Sequence, residues 1–264
     1  TLPGVMTVGA GQTLLKSSAL VPDGVTVLAG TGPLLWLYAA QALRAGGRIA
    51  AILDTTPRGN YLPALRHAAS FLISPLAPKG LGLIAEVRRK VPVIAGVTEL
   101  AALGDDRVRR VRYVAARGAG AFDCETLMLH QGVVPQVNLA MAAGCSHVWS
   151  ERQLCWVPDV GDHGASSVEG VAIAGDGAGI GGARLAEESG RLAAIGALKA
   201  LRPDRLPDER PIRAALARHA RGRAFLDALF RPARAFRVPD GDVIVCRCEE
   251  VTAGEIRKAA AFGC

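Results

Sequence analysis

The chain has 264 residues, of which 50% are hydrophobic and 21% are charged, and its formal net charge is +7. This composition excludes a disordered, collagen-like or coiled-coil protein, and a chain of this length can bury a core without disulfide bonds. Its 6 cysteines are too sparse for a secreted disulfide framework and the N-terminus carries no signal-peptide pattern, so we expect a reducing, cytoplasmic compartment.

Strand and helix patterns alternate along most of the chain. In chain order, the sequence predicts a strand over residues 25–29, a helix over 34–44, strands over 48–53, 126–129 and 168–174, and a helix over 183–201. This alternation is typical of an α/β fold in which helices cover a parallel sheet. Residues 25–43 carry no charge, but the glycines and the proline at 30, 32 and 33 would break a membrane-spanning helix, so we predict no transmembrane span.

The first glycine-rich turn, Gly30-Thr31-Gly32, lies between a predicted strand and a predicted helix. It has two of the three glycines of a dinucleotide-binding fingerprint, and Leu35 takes the place of the third. A pyrophosphate can approach such a turn because the free N–H groups of the following helix favour anions. Asp54 ends the next strand and can accept both hydroxyls of a ribose, which favours NAD or an adenine nucleotide. The alternative is a vestigial dinucleotide fold whose pocket is empty or reused.

The second glycine-rich turn contains Gly175, Asp176, Gly177, Gly179 and Ile180. A buried strand would deliver the Asp176 carboxylate to the edge of a sheet, where it suits a polyol. The glycines allow the backbone to come close to a ligand at the N-terminus of the next helix. In flavoproteins with two dinucleotide-binding domains, this element holds the ribityl chain of FAD. The alternative is a glycine-rich turn with a capping aspartate.

Residues 202–237 are the basic part of the chain, with ten arginines against four acidic residues. Prolines interrupt this stretch, so we predict short helices joined by turns, which form a linker and an interdomain or subunit face. A nucleic-acid interface is disfavoured because Phe225, Phe230 and Phe236 have the spacing of a helical core. We therefore expect no nucleic-acid partner.

Cys246 and Cys248 flank one residue, which lets two thiolates reach one side of an iron–sulfur cluster that needs four ligands. Thr252 and Glu255 have the spacing of a capping box for the helix that follows. Cys264 lies at the far end of that helix, where we favour a packing thiol over a third ligand. The alternative for the pair is two buried thiols at the end of a strand.

Three runs of sequence carry a resemblance to a known family. His130-Gln131-Gly132-Val133-Val134-Pro135 and residues 174–183, with the sequence AGDGAGIGGA, resemble the FAD subunits of opine oxidase, hydrogen cyanide synthase and hydroxyproline or proline dehydrogenases. The alpha subunit of sarcosine oxidase is similar more distantly. Residues 242–252 resemble the start of a bacterioferritin-associated-ferredoxin-like [2Fe–2S] module. The resemblance covers essentially the whole chain and identifies an FAD/NAD(P)-binding oxidoreductase.

The family's architecture implies a glutathione-reductase-like flavoprotein, in which an inserted Rossmann-like domain interrupts the FAD domain. The implied segments are 1–20 as the crossover from the first half of the FAD domain, 21–117 as the inserted domain, 118–201 as the returning half, 202–239 as an Arg/Pro-rich helical linker, and 240–264 as the start of the [2Fe–2S] module. By this resemblance an FAD fingerprint would precede Thr1 and a second cysteine pair would follow Cys264. We therefore treat the chain as part of a longer protein.

The resemblance also implies the cofactors and their ligands. FAD would be held by residues around the second turn, namely Gly132, Val133, Gly175, Asp176, Gly177, Gly179 and Ile180, and the [2Fe–2S] cluster by Cys246 and Cys248. His130 stands beside Gly132, where a hydrogen bond to a cofactor or substrate and a structural role remain equally open.

The implied function is that of an FAD-containing electron-transfer subunit in a multi-subunit amine or amino-acid dehydrogenase or oxidase. An amino-acid-oxidase-like subunit would bind the substrate, so we nominate no catalytic base in this chain. An electron acceptor and a small ferredoxin-like subunit are further implied partners, and peripheral attachment to the inner membrane is left open. The alternatives are an NAD(P)H-dependent flavin and iron–sulfur reductase, and a non-catalytic iron–sulfur electron-transfer subunit.

Overall fold

The computed structural model describes residues 2–204, 206–246 and 248–263. The strands in these residues are β1 (Val5–Thr7), β2 (Thr26–Gly30), β3 (Ile49–Asp54), β4 (Val93–Ala95), β5 (Val97–Leu103), β6 (Arg110–Ala115), β7 (Gly118–Asp123), β8 (Thr126–His130), β9 (His147–Ser150), β10 (Cys155–Pro158), β11 (Ile244–Cys246) and β12 (Val251–Thr252). The α-helices are α1 (Val8–Ser18), α2 (Pro33–Arg44), α3 (Tyr61–Leu65), α4 (Ala68–Leu72), α5 (Leu76–Arg88), α6 (Asn138–Ala142), α7 (Ala183–Leu201), α8 (Arg210–Ala220), α9 (Arg223–Leu229) and α10 (Ala253–Ala261). Single 3-10 turns lie at Arg58–Asn60, Asp162–Gly164, Gly175–Ala178 and Arg234–Phe236.

A parallel sheet with the strand order β1-β8-β2-β3-β4 forms the centre of the molecule. All five residues of β2 are buried, as expected for an apolar strand covered on both faces. The local predictions for β2, α2, β3, β8 and α7 are confirmed to within one residue at each end. The prediction of an α/β fold with a parallel sheet is therefore confirmed.

Different layers cover the two faces of this sheet. On one face, α1, α2 and α5 pack on side chains such as Leu28, Ile52 and Met128. On the other face, the antiparallel sheet β5-β6-β7 packs through Val97 and Val111 against the central strands. The predicted helical cover is present on the first face, whereas the second sheet was not predicted: alternating polar and apolar residues between 97 and 123 form it.

The central sheet takes strands from three of the segments predicted from the sequence. β1 lies in the predicted crossover 1–20, and β8 lies in the predicted returning half 118–201. Both strands pair in parallel within the sheet whose other strands come from 21–117. The predicted boundaries thus do not coincide with the edges of this sheet, and the division of the chain into domains stays a prediction.

The predicted strand over residues 168–174 is wrong. Its backbone folds back on the preceding turn: the N–H of Ser166 donates to Val171 O, and the N–H of Ile173 donates to Gly164 O. Ala172 forms an isolated antiparallel β-bridge with Ala165 instead of a strand. Apolar composition alone does not make a strand, because a strand also needs a neighbour with free N–H and C=O groups.

The basic region packs on the first part of the chain through α9. The side-chain amide of Asn60 donates to the carbonyl oxygens of Leu229 and Arg231, at 2.9 and 2.7 Å. The rings of Phe71 and Phe225 stack with centroids 4.3 Å apart. The predicted short helices are confirmed as α8 and α9, and α9 forms a contact between the two parts of the chain.

The C-terminal part contains the β11–β12 hairpin and α10. The predicted capping box is confirmed: Glu255 N–H donates to Thr252 Oγ1, and the N–H of Thr252 donates to the Glu255 carboxylate at 2.8 Å. Cys264 lies outside the described residues. Among the residues with assigned structure, no helix has the length and apolarity needed to cross a bilayer.

Candidate functional site

The first glycine-rich turn lies at the carboxyl end of the central sheet. Gly30 pairs with Asp54 on one side and with His130 on the other. Its φ is +144°, and a Cβ at this position would collide with the carbonyl oxygen of His130. The N–H of Thr31 donates to that same oxygen at 2.8 Å, and Thr31 Oγ1 lies 2.7 Å from Thr56 Oγ1. The turn therefore needs a glycine at position 30 to join three strands.

The N-terminus of α2 follows this turn without a side-chain cap. Gly32 is the N-cap residue with a φ of 118°, and Pro33 occupies the first turn of the helix. Leu35, which replaces the third fingerprint glycine, is fully buried in the core. The first N–H groups of α2 thus have no side-chain acceptor at the end of the helix where the macrodipole favours negative charge.

Asp54 lies at this edge but turns inward. It is only 7% exposed, and its Oδ1 accepts the N–H of Thr56 at 2.9 Å. Burial raises the pKa of the Asp54 carboxyl, while hydrogen bonds from Thr56 and the charge of Arg88 act in the opposite direction. One carboxylate oxygen therefore shapes the loop after β3, and a ribose contact through the other oxygen stays a prediction.

His130 belongs to the first turn as well, although the sequence suggested a place beside the flavin. The residue is 7% exposed, and its Nε2 lies 3.1 Å from the position that a Cβ on Gly32 would occupy. Burial lowers the pKa of the imidazole to about 4. Sequence reasoning missed this placement because the pairing of β8 with β2 is a long-range contact.

The second glycine-rich turn is held by the carboxylate of Asp176. Its Oδ1 accepts the N–H groups of Gly181 and Gly182, both at 2.9 Å, immediately before α7. Gly175 donates its N–H to Ser189 Oγ at 2.8 Å, which ties the turn to the body of the helix. Asp176 thus holds the turn that leads into α7, which is close to the structural role of the alternative interpretation, and its Oδ2 makes no hydrogen bond within the described part of the chain.

Gln153 clamps the same turn from the β9–β10 hairpin. Its Nε2 donates to Ile180 O at 2.7 Å, and its Oε1 accepts the N–H of Ile180 at 2.9 Å. Both backbone groups of Ile180 are therefore fixed by one amide. Sequence reasoning missed Gln153, because neither spacing nor composition linked it to the turn.

A cavity of about 260 Å³ borders this turn. The residues that line it include Asp176, Gly179, Gly181, His163 and Leu192. Because ligand sites usually enclose about 300–1,000 Å³, this space can hold part of a flavin cofactor rather than all of it. A carboxylate and glycines beside an open helix N-terminus fit a polyol chain, so the residues present fit the ribityl part of FAD.

A charged cluster borders the same cavity through Asp162 and His163. His163 lies between Asp162, at 2.9 Å from Nδ1, and Glu209, at 2.6 Å from Nε2. Arg213 reaches Asp162 at 2.8 Å, and Lys199 reaches Glu209 at 3.2 Å. The hydrogen bond from His163 holds the pKa of the Glu209 carboxyl below its usual value. The cluster joins α7 and α8 to the 3-10 turn at the cavity.

The segment after β8 connects the two glycine-rich turns. Gln131 Nε2 donates to Thr55 Oγ1 at 3.1 Å, next to the first turn. Farther along, the carbonyl oxygen of Gln136 lies 3.9 Å from the position of a Cβ on Gly177, in the second turn. The predicted flavin residues Gly132 and Val133 lie between these two contacts, and Val133 is exposed.

The two cysteines of the predicted iron–sulfur site lie at the end of β11. Cys246 is half-buried and Cys248 is exposed, so the alternative of two buried thiols is wrong for Cys248. No group of three or more histidine, cysteine or acidic side chains capable of holding a metal occurs in the residues searched, 2–204, 206–246 and 248–263. The role of Cys246 and Cys248 as two of the four ligands of a [2Fe–2S] cluster therefore stays a prediction.

No model of a known protein family matches the chain. The chain is 43% identical, over its whole length, to the opine oxidase A component of Agrobacterium tumefaciens strain Ach5, and it covers 53% of that protein. It is 42% identical over 99% of its length to the opine oxidase A component of Rhizobium meliloti, of which it covers 51%. The HcnB component of hydrogen cyanide synthase from Pseudomonas aeruginosa is 31% identical over the whole chain, which covers 59% of it.

The fold is similar to that of L-proline dehydrogenase from P. horikoshii. The TM-score is 0.63 at 14% identity, and the match covers 100% of this chain and 42% of that one. At this identity the similarity concerns the fold alone. The chain spans about half the length of the opine oxidase proteins it matches, at 53% and 51%. The resemblance drawn from the motifs is thus confirmed: the chain is related from end to end to opine oxidase A and hydrogen cyanide synthase HcnB subunits, and its α/β fold is similar to that of L-proline dehydrogenase.

Proposed function

We propose that this chain is the flavin-binding part of one subunit in a multi-subunit, FAD-dependent amine or amino-acid dehydrogenase or oxidase. The observation that carries the proposal is the Asp176 turn, where a carboxylate, a glycine loop and the start of α7 border one cavity. The relationship to opine oxidase and hydrogen cyanide synthase subunits supports the same class of chemistry. The whole protein would oxidise a C–N bond, and we propose a cytoplasmic location for it.

Bound FAD would accept two electrons from the amine and pass them on singly. In this chain, Asp176 would bind the ribityl hydroxyls while its Oδ1 keeps the turn in place. The start of α7 would face the electron-rich end of the flavin, where the helix macrodipole stabilises negative charge. Gly132 and Val133 would border the cofactor from the segment that joins the two turns.

A separate subunit would bind the substrate. The relatives are named as single subunits of opine oxidase and of hydrogen cyanide synthase, which supports a multi-subunit assembly. We propose an amino-acid-oxidase-like partner for amine binding, an onward electron acceptor and a small ferredoxin-like subunit, and we assign no catalytic base to this chain. The substrate class would comprise opines, proline or hydroxyproline, sarcosine and glycine, whose oxidation gives an imine that hydrolyses to a carbonyl compound.

Two further cofactors belong to the proposal. An adenine nucleotide or NAD would bind at Gly30, Thr31, Gly32 and Asp54, which the uncapped start of α2 supports. Cys246 and Cys248 would supply two thiolates to a [2Fe–2S] cluster that conducts electrons onward, which their one-residue spacing supports. The other two ligands would come from outside the described residues.

The test is FAD retention by the purified holoprotein with Asp176 replaced. We expect Asp176→Ala to raise the dissociation constant of FAD at least about tenfold, because it removes a charge-assisted hydrogen bond. Asp176→Asn keeps an Oδ1 acceptor for the glycine N–H groups, so it separates loss of the turn from loss of the ribityl contact. Asp159→Ala, at an exposed aspartate of the same part of the chain, is the matched control. Equal FAD retention in all variants would contradict the proposal.

An NAD(P)H-dependent reductase is the second candidate function, and the uncapped N-terminus of α2 is the observation that favours it. Reduction of the holoprotein flavin by NADH alone would support this candidate. Reduction that requires the amine and the partner subunit would support the amine dehydrogenase. A preparation with cluster absorption but without flavin absorption would instead indicate a non-catalytic iron–sulfur subunit.

A further inference from the structure

A buried imidazole lies beside the uncapped end of α2. His130 is 7% exposed, so 93% of its surface is buried. Its ring nitrogens make no hydrogen bond within the described part of the chain. Neither nitrogen is among the fully enclosed polar atoms that lack a partner, so the edge of the ring still reaches solvent. The ring nitrogens therefore remain free to bond a ligand that is present in the functional state.

The second, independent feature is the helix itself. α2 spans twelve residues, follows the N-cap residue Gly32 without a side-chain cap, and has Pro33 in its first turn. The imidazole Nε2 is 3.1 Å from the place where a Cβ on Gly32 would lie. The ring edge and the helix N-terminus therefore converge on one point at the end of the sheet. Both features favour an oxygen anion, the first through N–H donation and the second through the macrodipole.

We propose that His130 binds a phosphate of the nucleotide at the start of α2, and that nucleotide binding is coupled to protonation of this imidazole. The inference rests on the nucleotide site of the proposed function and adds a residue that the glycine fingerprint does not contain. The ligand class is a nucleotide with a phosphodiester or pyrophosphate group, such as NAD.

The titratable groups around His130 set the sign of the effect. Asp54 lies across Gly30 from His130, and Arg88 acts on Asp54 from α5. Thr31 and Gln131, from the turn and from the chain after β8, are neutral. Burial is the single cause that lowers the pKa of His130 to about 4. A phosphate in contact with the ring favours the imidazolium, so the pKa of His130 rises in the complex.

Proton linkage then predicts how affinity depends on pH. Between the free and bound pKa values of His130, the complex holds one more proton than the free protein. Affinity for the nucleotide rises as the pH falls through this interval, by up to about tenfold for each pH unit. Protonation of Asp54 would change affinity in the same direction, because it removes a negative charge near the phosphate. The experiment therefore has to distinguish the effect of protonating His130 from the effect of protonating Asp54.

Calorimetric titration of the holoprotein with NAD⁺ between about pH 5 and pH 8 tests the inference, since this window spans the histidine range. We expect wild-type affinity to rise at least about fivefold from the alkaline to the acidic end. His130→Gln should remove the part of this rise that His130 causes and leave only the smaller contribution of Asp54, whereas Asp54→Asn should keep the part that His130 causes. His67→Gln, at an exposed histidine of the same part of the chain, is the matched control and should behave as wild type.

A second measurement does not depend on how well the variants fold. The NMR titration of the wild-type His130 ring should give a pKa near 4 without ligand and a higher value with saturating NAD⁺. A flat affinity profile with an unchanged ring pKa, although NAD⁺ binds, would overturn the role of His130 and leave the nucleotide site intact. Absence of NAD⁺ binding at every pH would overturn both. Sulfate that binds as tightly as NAD⁺ would assign the site to free oxyanions and overturn the nucleotide.

Discussion

His130 and Asp54 lie in the same register row of the parallel sheet, one on each side of Gly30. Both side chains are 7% exposed, and burial moves their pKa values in opposite directions, down for the imidazole and up for the carboxyl. Each neutral form is therefore favoured by the sheet edge. The pair places an imidazole and a carboxyl group at the end of the strands, where α/β sheets bind their ligands.

The first prediction concerns acid stability. The pKa of His130 is 6.5 in the unfolded reference and about 4 in the folded protein. The unfolded chain therefore takes up the proton first as the pH falls below 6.5, so the folded state loses stability between about pH 6.5 and pH 4, by up to about 3 kcal/mol. Urea denaturation at neutral pH and near pH 5 should show this loss, and His130→Gln should reduce it.

Asp54 contributes an effect of opposite sign to the same acid profile. Its folded pKa lies above the unfolded 3.8, so its contribution is favourable at low pH and is lost as the pH rises through its raised value. Asp54→Asn should therefore increase the loss of folding stability that His130 causes at low pH. An acid profile that is the same in wild type and His130→Gln would contradict the assignment of the effect to this histidine.

The second prediction concerns the glycine that separates these two residues. Gly30→Ala adds a Cβ that collides with the carbonyl oxygen of His130, at a φ of +144° that alanine avoids. We expect the free energy of unfolding to fall by about 3 kcal/mol or more. Gly46→Ala has a φ of +85° but no atom within 4 Å of the new Cβ, so it should cost only about 1 kcal/mol. If both variants lose the same free energy of unfolding, backbone strain alone, without the close approach of β8, accounts for the need for glycine at position 30.

The sequence predicted the elements whose signals are local. β2, α2 and β3 follow from an apolar run, a Gly-Pro helix start and a second apolar run that ends at Asp54. The capping box at Thr252 could likewise be predicted, since its two hydrogen bonds join residues that are three positions apart.

The sequence did not predict which strands become neighbours. The pairing of β8 with β2 joins residues about a hundred positions apart, and this pairing moves His130 from the flavin turn to the first glycine-rich turn. The error at residues 168–174 has the same origin: an apolar segment becomes a strand only where a partner offers its backbone groups. The contact of Gln153 with Ile180 could not be predicted either, because nothing in the local sequence of a hairpin indicates which distant residue a polar side chain will bond.

The third prediction concerns the threonine pair beneath the first turn. Thr31 is fully buried, and its Oγ1 lies 2.7 Å from Thr56 Oγ1. Thr31→Val removes one partner and leaves a buried hydroxyl on Thr56, which should destabilise the protein by about 1–3 kcal/mol. The double variant Thr31→Val/Thr56→Val removes both hydroxyls and should recover part of this loss. If the double variant loses more free energy of unfolding than the two single variants together, a direct hydrogen bond between the two hydroxyls is excluded.

The fourth prediction concerns the amide clamp on the second turn. Gln153 makes two hydrogen bonds to the backbone of Ile180, at 2.7 and 2.9 Å, and so holds the loop that borders the proposed ribityl site. Gln153→Ala loses both bonds, and Gln153→Glu keeps the acceptor but loses the donor. If the loop must be ordered before FAD binds, the dissociation constant of FAD should rise about tenfold in Gln153→Ala and less in Gln153→Glu.

Reconstitution of the apoprotein with FAD, followed by the flavin absorption, measures this effect. Gln12→Ala is the matched control, because Gln12 bonds Gln41 on the helical side of the central sheet and touches neither turn. Thermal unfolding of the apoproteins separates a loose loop from a damaged fold: Gln153→Ala should lower the melting temperature little, since the clamp lies in a partly exposed turn. An FAD affinity that tracks the melting temperature across all three variants, rather than the loss of the clamp, would show that Gln153 acts on the fold and not on the flavin turn.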